Sequence, residues 1–143
     1  MPGHIIRRMN QLSTHVFAVR MQEAGLDLTP VQFAALDAIV AHPGLDQASI
    51  AAKIAYDRAT IGGVIDRLEQ KGYVERRVSK RDRRAREVRI TPMGQETYKT
   101  VLPIVLDLQQ DILPGLTRDE REAFLRLAGK VISTTCANGD PRN

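Results

Sequence analysis

Aromatic residues are scarce in this 143-residue chain, at 4% of positions, and tryptophan is absent. A core must therefore be built mainly from Leu, Ile, Val and Ala. The single cysteine, Cys136, has no partner for an internal disulfide, which fits a reducing compartment, and its place near the end reads as an incidental thiol. No apolar run approaches the roughly 18 residues that a bilayer-spanning helix needs. Residues 1–8 lack the apolar stretch of a signal peptide, so a cytoplasmic protein is expected. His4, His15 and His42 are scattered, and no Cys/His cluster has ligand spacing, so no metal site is expected. Nor is there a phosphate-cradling glycine loop or a nucleophile–base pair. Ser13, Ser49 and Ser79 fall in unrelated elements, and nothing gives His15 a catalytic role. An enzyme is not expected.

What the chain does have is charge in one place. Between Glu75 and Arg89 lie eight basic residues (Arg76, Arg77, Lys80, Arg81, Arg83, Arg84, Arg86, Arg89) against three acids (Glu75, Asp82, Glu87). That segment carries +5 of a net +4, so the remainder sums to −1. Such a cluster on a near-neutral body is the footprint of a polyanion binder, although a solvated charged surface gives the same pattern.

Length and the 43% apolar content fit one globular domain, residues 1–143. Apolar spacing predicts helix 1 over about residues 4–24, with Ile5, Met9, Leu12, Val16 and Val19 on one face. Thr29-Pro30-Val31-Gln32 has the form of a capping box opening helix 2, whose stripe is Val31, Ala34, Ala35, Ala38 and Ile39. Asp46 is placed to cap a short helix 3 (47–54). Asp57 is placed to cap helix 4, which carries Ile61, Val64, Ile65 and Leu68 inward and ends at Gly72. The period then changes to 2, with Val74 and Val78 set against Arg76, and Val88 and Ile90 against Arg89: a hairpin with a charged tip, 79–85. Thr91-Pro92 opens helix 5 (92–113), bent at Pro103. Thr117 to Glu120 forms a second capping box for a last helix to about Thr135, followed by a frayed tail, 137–143.

The class is mainly α with a small β-hairpin. Helix 3, a turn, helix 4 and a basic hairpin make a winged helix-turn-helix over residues 29–91. A major groove about 12 Å wide admits one helix, and residues at its N-terminus reach base edges. Asp57, Arg58, Ala59 and Thr60 occupy that end. Arg58 suits a two-pronged contact to guanine, and Thr60 a base, phosphate or thymine-methyl contact. Gln47 and Ser49 on helix 3, and Gly63 and Arg67 on helix 4, join this set. Arg81, Arg83, Arg84 and Arg86 suit a wing lying along the neighbouring minor groove. Asp82 either pairs with Arg84 and holds the wing's shape or is merely solvated. The Gly62-Gly63 pair, costly in a helix at about 1 kcal/mol each, serves either close approach to DNA or tight helix packing.

At this point the chain resembles the MarR family of bacterial regulators, over residues 4–135. The resemblance is carried by Leu28 to Phe33, by Asp57-Arg58-Ala59-Thr60, by Asp66 to Val74, and by Asp82-Arg83-Arg84 followed by Arg89-Ile90-Thr91-Pro92-Met93-Gly94. The last block matches the family's Asp-x-Arg wing and Leu-Thr-Pro-x-Gly lead-in to helix 5, with Ile90 in place of Leu. The resemblance implies a homodimer in which helices 1, 5 and 6 interlock and two winged domains read a palindrome on double-stranded DNA. Residues 4–25 and 92–135 are then the dimerisation helices. Leu102, Val105, Leu108, Ile112, Leu113, Phe124, Leu125, Leu127, Val131 and Ile132 offer more apolar face than a small winged domain needs, whether for a dimer or for a larger monomeric core. Helix 4 and the wing also look like those of aromatic-catabolism regulators, including the nicotinate-degradation type.

The resemblance further implies a ligand-responsive repressor in the bacterial cytoplasm, held at the nucleoid through DNA, with no cofactor. Its effector would be a small aromatic or pyridine carboxylate lodged between helices 1, 2 and 5. Asn10, Ser13, Thr14, His15, Phe17, Arg20 and Phe33 are the candidate lining, with Arg20 suited to a carboxylate. Exposed helix polarity or a dimer salt bridge is the plainer reading of each residue. The family's peroxide sensors carry a helix 1 cysteine, which this chain lacks. The competing class is a winged-helix protein–protein module whose basic hairpin docks an acidic partner.

Overall fold

A computed structural model describes residues 1–137, and side-chain surroundings as far as residue 134. The elements run α1 (Pro2–Glu23), α2 (Pro30–Ala41), α3 (Gln47–Lys53), α4 (Ile61–Gln70), β1 (Val74–Val78), β2 (Arg86–Ile90), α5 (Pro92–Ile112) and α6 (Arg118–Ala137). They fall into two compact units, residues 1–108 and 109–143, divided within α5 five positions after Pro103. α6 closes on Ala137, one residue into the expected tail; the rest of that tail and the side chain of Cys136 lie outside the described residues.

Local chemistry sets the helix starts. Thr29 Oγ1 accepts the Gln32 N–H at 3.2 Å while Gln32 Oε1 accepts the Thr29 N–H at 3.2 Å, a complete capping box with Pro30 in the first turn. In the second unit Thr117 and Glu120 make the same reciprocal pair, at 3.2 and 2.9 Å. Two backbone N–H groups at the start of α6 therefore find acceptors, one in the Glu120 carboxylate and one in the Thr117 hydroxyl. Asp46 Oδ1 caps α3 through the Ser49 N–H at 2.7 Å.

α2, α3 and α4 pack around Leu36, Ile39, Ile50, Ile61, Ile65 and Leu68, all essentially buried. β1 and β2 pair antiparallel with Val74 opposite Ile90, Arg76 opposite Val88 and Val78 opposite Arg86. The loop before α3 joins this sheet, since the Val88 N–H donates to Leu45 O at 2.9 Å. The hairpin is thereby tied to the start of α3.

Four expectations need correction. α4 begins at Ile61, not at Asp57; Asp57 instead closes a separate turn, accepting the Ala59 N–H on its side chain and the Thr60 and Ile61 N–H groups on its carbonyl. On β1, residues 74, 76 and 78 share one face, because strand side chains alternate with period 2, so Arg76 lies beside Val74 and not opposite it. On α1 the buried side chains are Phe17 and Met21, while Ile5, Leu12 and Val19 of the expected inner face are exposed. α1 is apolar on two sides, and the unit's own core takes the side with the larger residues. On α2, Gln32 and Leu36 are buried with Ala35, Ala38 and Ile39, while Val31 and Ala34 of the expected stripe are half-buried: Gln32 accepts the Lys71 ammonium at 3.0 Å, so its burial leaves no orphan amide oxygen.

The lead-in to α5 is tightly built. Thr91 Oγ1 donates to Gly72 O at 2.5 Å and accepts the Gly94 N–H at 3.0 Å. A Cβ on Gly94 would stand 2.0 Å from Tyr73 O, so no other residue fits there unchanged.

Candidate nucleic-acid interface

Arg58 and the hairpin tip face each other across a cleft of about 490 Å³, lined also by Asp46, Gln47, Ile61, Asp82, Arg84 and Arg86. The segment carrying Arg58 is placed by the end of α3. Ala55 adopts φ +53°, the left-handed region, and the Tyr56 N–H returns to Ala51 O at 2.9 Å, stopping α3 sharply. Asp57 then turns the chain, leaving Arg58, Ala59 and Thr60 exposed in front of α4. These three residues precede the helix where they were expected to form its first turn.

The tip is a folded loop. Ser79 is buried, and its Oγ accepts the N–H groups of Arg81 at 3.2 Å and Asp82 at 3.3 Å. The Ser79 N–H donates to Ala85 O at 3.0 Å, and the Ala85 N–H to Asp82 O at 3.1 Å. Asp82 Oδ1 accepts the Arg84 N–H at 2.9 Å, so Asp82 meets Arg84 through the main chain and not through its guanidinium. The sequence places Ser79 at the start of the tip but does not by itself mark it as the residue that folds the loop. Its signal was the Ser-x-x-Asp spacing, which lets a hydroxyl gather the N–H groups two and three residues on.

Charge along the hairpin is uneven. On the outer face of the stem, Glu75 stands opposite Arg89 and Arg77 opposite Glu87, with ion pairs Arg77–Glu75 at 2.7 Å and Arg89–Glu87 at 3.4 Å. The stem's face is thus balanced. Lys80, Arg81, Arg83, Arg84 and Arg86 are exposed around one acid, so the positive field is concentrated at the tip.

Of the remaining expected contacts, Gly63 and Arg67 are exposed on α4, while Ser49 is half-buried on α3 and lies outside the cleft lining, as do Arg81, Arg83 and Arg67. The two glycines separate. A Cβ on Gly62 would sit 3.3 Å from Gln47 Nε2, a packing contact with α3. A Cβ on Gly63 would meet nothing within 4 Å, so helix packing does not account for that glycine.

A second group lies where α1, α2 and α5 meet within the first unit. Phe33 stacks on Tyr98 with centroids 6.0 Å apart, and Phe17 tilts against Phe33 at 6.5 Å. Arg20 pairs with the carboxylate of Asp107. The Tyr98 hydroxyl donates to Asp37 Oδ1 at 2.6 Å; that bond, with burial and the Asp37 charge, pushes the phenol up to about 12. Of the expected effector lining, Phe17, Phe33, Ser13 and Arg20 turn inward or are half-buried, whereas Asn10, Thr14 and His15 are exposed. Tyr98, Asp37 and Asp107 were not anticipated, since each is far in sequence from its partner.

Comparison with known proteins places this arrangement. The sequence profile of the MarR family matches residues 26–85. The HTH-type transcriptional repressor NicR of Pseudomonas putida is 30% identical over 132 residues, 92% of this chain and 82% of the relative. The structure of Bordetella bronchiseptica BpsR, described as regulated in DNA binding by 6-hydroxynicotinic acid, superposes with TM-score 0.84 at 27% identity, covering 98% of this chain and 95% of that one. A mutant MarR from Escherichia coli complexed with operator DNA gives TM-score 0.81 at 27% identity, covering 90% and 91%.

Proposed function

This chain belongs to the MarR family of transcriptional regulators, and on that premise we propose that it is a homodimeric repressor, released from a palindromic operator by a small aromatic or pyridine carboxylate. It is a DNA-binding transcriptional regulator and not an enzyme, with a winged helix-turn-helix fold. The observation that carries the reading is the cleft itself: Arg58 before α4 and Arg84 and Arg86 of the tip converge on one space. Base contacts come from the turn and α4, and the tip arginines grip phosphates and the minor groove. A two-fold dimer places half-sites about one helical turn apart.

Exposed apolar side chains support a second copy: Ile5, Ile6 and Val19 on α1, and Leu125, Leu127, Val131 and Ile132 on α6. The effector reading rests on the aromatic group of Phe17, Phe33 and Tyr98 near Arg20, and on NicR and BpsR as relatives. Arg20 is already held by Asp107, so an effector carboxylate would compete with that acid.

The test is release of a labelled operator, followed by fluorescence anisotropy against a panel of hydroxybenzoates and pyridine carboxylates. Release by an aromatic acid, lost in Phe33→Ala, supports the reading. Retention of the operator throughout the panel rejects the effector class.

A further inference from the structure

Arg76 belongs to the basic run by sequence, but its side chain is only 13% exposed and points from β1 onto α4. Nη1 lies 2.5 Å from Asp66 Oδ1 and 3.9 Å from Glu69 Oε1, and Nη2 donates to Gly62 O at 2.9 Å. The Arg76 N–H also donates to Glu69 Oε2 at 3.1 Å. Gly62, Asp66 and Glu69 follow one another at i, i+4 and i+7, a single stripe along two turns of α4. One arginine therefore binds the wing's first strand to the helix that stands beside the cleft. Its Nε is buried with no hydrogen-bond partner among the described residues, so the fork is held at a cost.

A half-buried ion pair is weak evidence for stability, because apolar side chains of similar volume would hold the strand as well. What a planar two-pronged group adds is fixed geometry. Asp66 is half-exposed on α4 next to exposed Arg67, where an uncompensated carboxylate would repel a phosphate backbone.

We propose that Arg76 is a positioning residue for DNA recognition: its fork on Gly62, Asp66 and Glu69 sets the wing against α4 and cancels the Asp66 charge. The inference rests on the reading that α4 and the wing engage one duplex.

The experiment uses the full chain, with Arg76→Lys and Asp66→Ala made singly and together. Anisotropy measures affinity for the duplex that the wild type selects from a random pool, and for a scrambled duplex of equal length, at several salt concentrations. Thermal unfolding is recorded in parallel. The ratio of selected to scrambled affinity falls about tenfold in either single variant, as expected for loss of a charged, geometry-setting hydrogen bond. The salt slope is unchanged, because no phosphate contact is removed, and the double variant loses less than the sum. Asp66→Ala alters an exposed position and so reports even if Arg76→Lys fails to fold.

An unchanged ratio with a lowered Tm makes Arg76 a structural residue only, and overturns the proposal. So does an equal loss on both duplexes, which leaves the ratio unchanged and makes the Arg76 fork a contributor to general affinity only. Strictly additive losses also overturn it. A wild type that does not discriminate between the duplexes refutes the DNA-reading premise itself, a result visible before any variant is compared.

Discussion

Asp82 holds Arg84 by its backbone: the carboxylate accepts the Arg84 N–H at 2.9 Å inside the most basic loop of the chain. Removing Asp82 has two opposed effects. The net charge at the tip rises by one, which strengthens attraction for any duplex, and the turn that aims Arg84 is released. Asp82→Ala is expected to bind scrambled DNA more tightly and the selected operator less tightly, by about 1 kcal/mol, the worth of one such hydrogen bond. Paired anisotropy titrations check this. Tighter binding to both would mean that the acid only dilutes the charge.

The balanced stem and the free tip separate arginines that look alike in sequence. Arg84→Ala should weaken binding to every duplex and lower the salt slope by about one. Arg77→Ala should change the slope little, because Arg77 already pairs with Glu75 at 2.7 Å. Equal slopes for the two variants would remove the distinction between stem and tip.

Stability at the start of α5 depends on the absence of one carbon. Gly94→Ala forces the Tyr73 carbonyl and the Ile90 side chain to move, from contacts of 2.0 and 2.8 Å. The expected cost is about 3 kcal/mol, read as a fall in Tm by thermal unfolding. A Tm within a degree or two of wild type would show that the neighbouring backbone yields freely.

Tyr98 offers a test at alkaline pH. Its phenol is raised to about 12 by the hydrogen bond to Asp37, by burial and by the Asp37 charge, from an ordinary value of 10.0. A raised pKa in the folded state means stability that is whole below pH 10 and lost as pH climbs toward 12. Tyr98→Phe should therefore be less stable than wild type at pH 8, by about 1 kcal/mol because the pair is largely solvated, and the gap should close by pH 12. Denaturant unfolding at pH 8, 10 and 11.5 checks it. A constant gap would assign the difference to packing on Phe33.

How far the sequence reveals this architecture depends on the range of each interaction. Thr29 with Gln32 and Thr117 with Glu120 were legible because both partners lie three residues apart. Asp57 was misread for the same local reason: an acid that caps a helix and one that closes a turn present the same pattern until the N–H groups it binds are known. Arg76 was counted as free charge because its partners, ten and fourteen residues back, are reached only once β1 folds against α4. Tyr98 and Asp37, and Arg20 and Asp107, are 61 and 87 positions apart and carry no local signature. The fold class and the charged tip are readable in the sequence; the turn that carries Arg58 and the ion pairs that decide which cations are free are not.

Selection from a random duplex library, with wild type and Arg58→Ala, separates base reading by the turn before α4 from phosphate contact by the tip. Wild type is expected to enrich a palindrome with half-sites about one helical turn apart. Arg58→Ala should lose preference at one position in each half-site, at about 1–3 kcal/mol, with the rest of the motif intact. Enrichment of nothing by wild type, or an identical motif from both proteins, would contradict base reading by that turn.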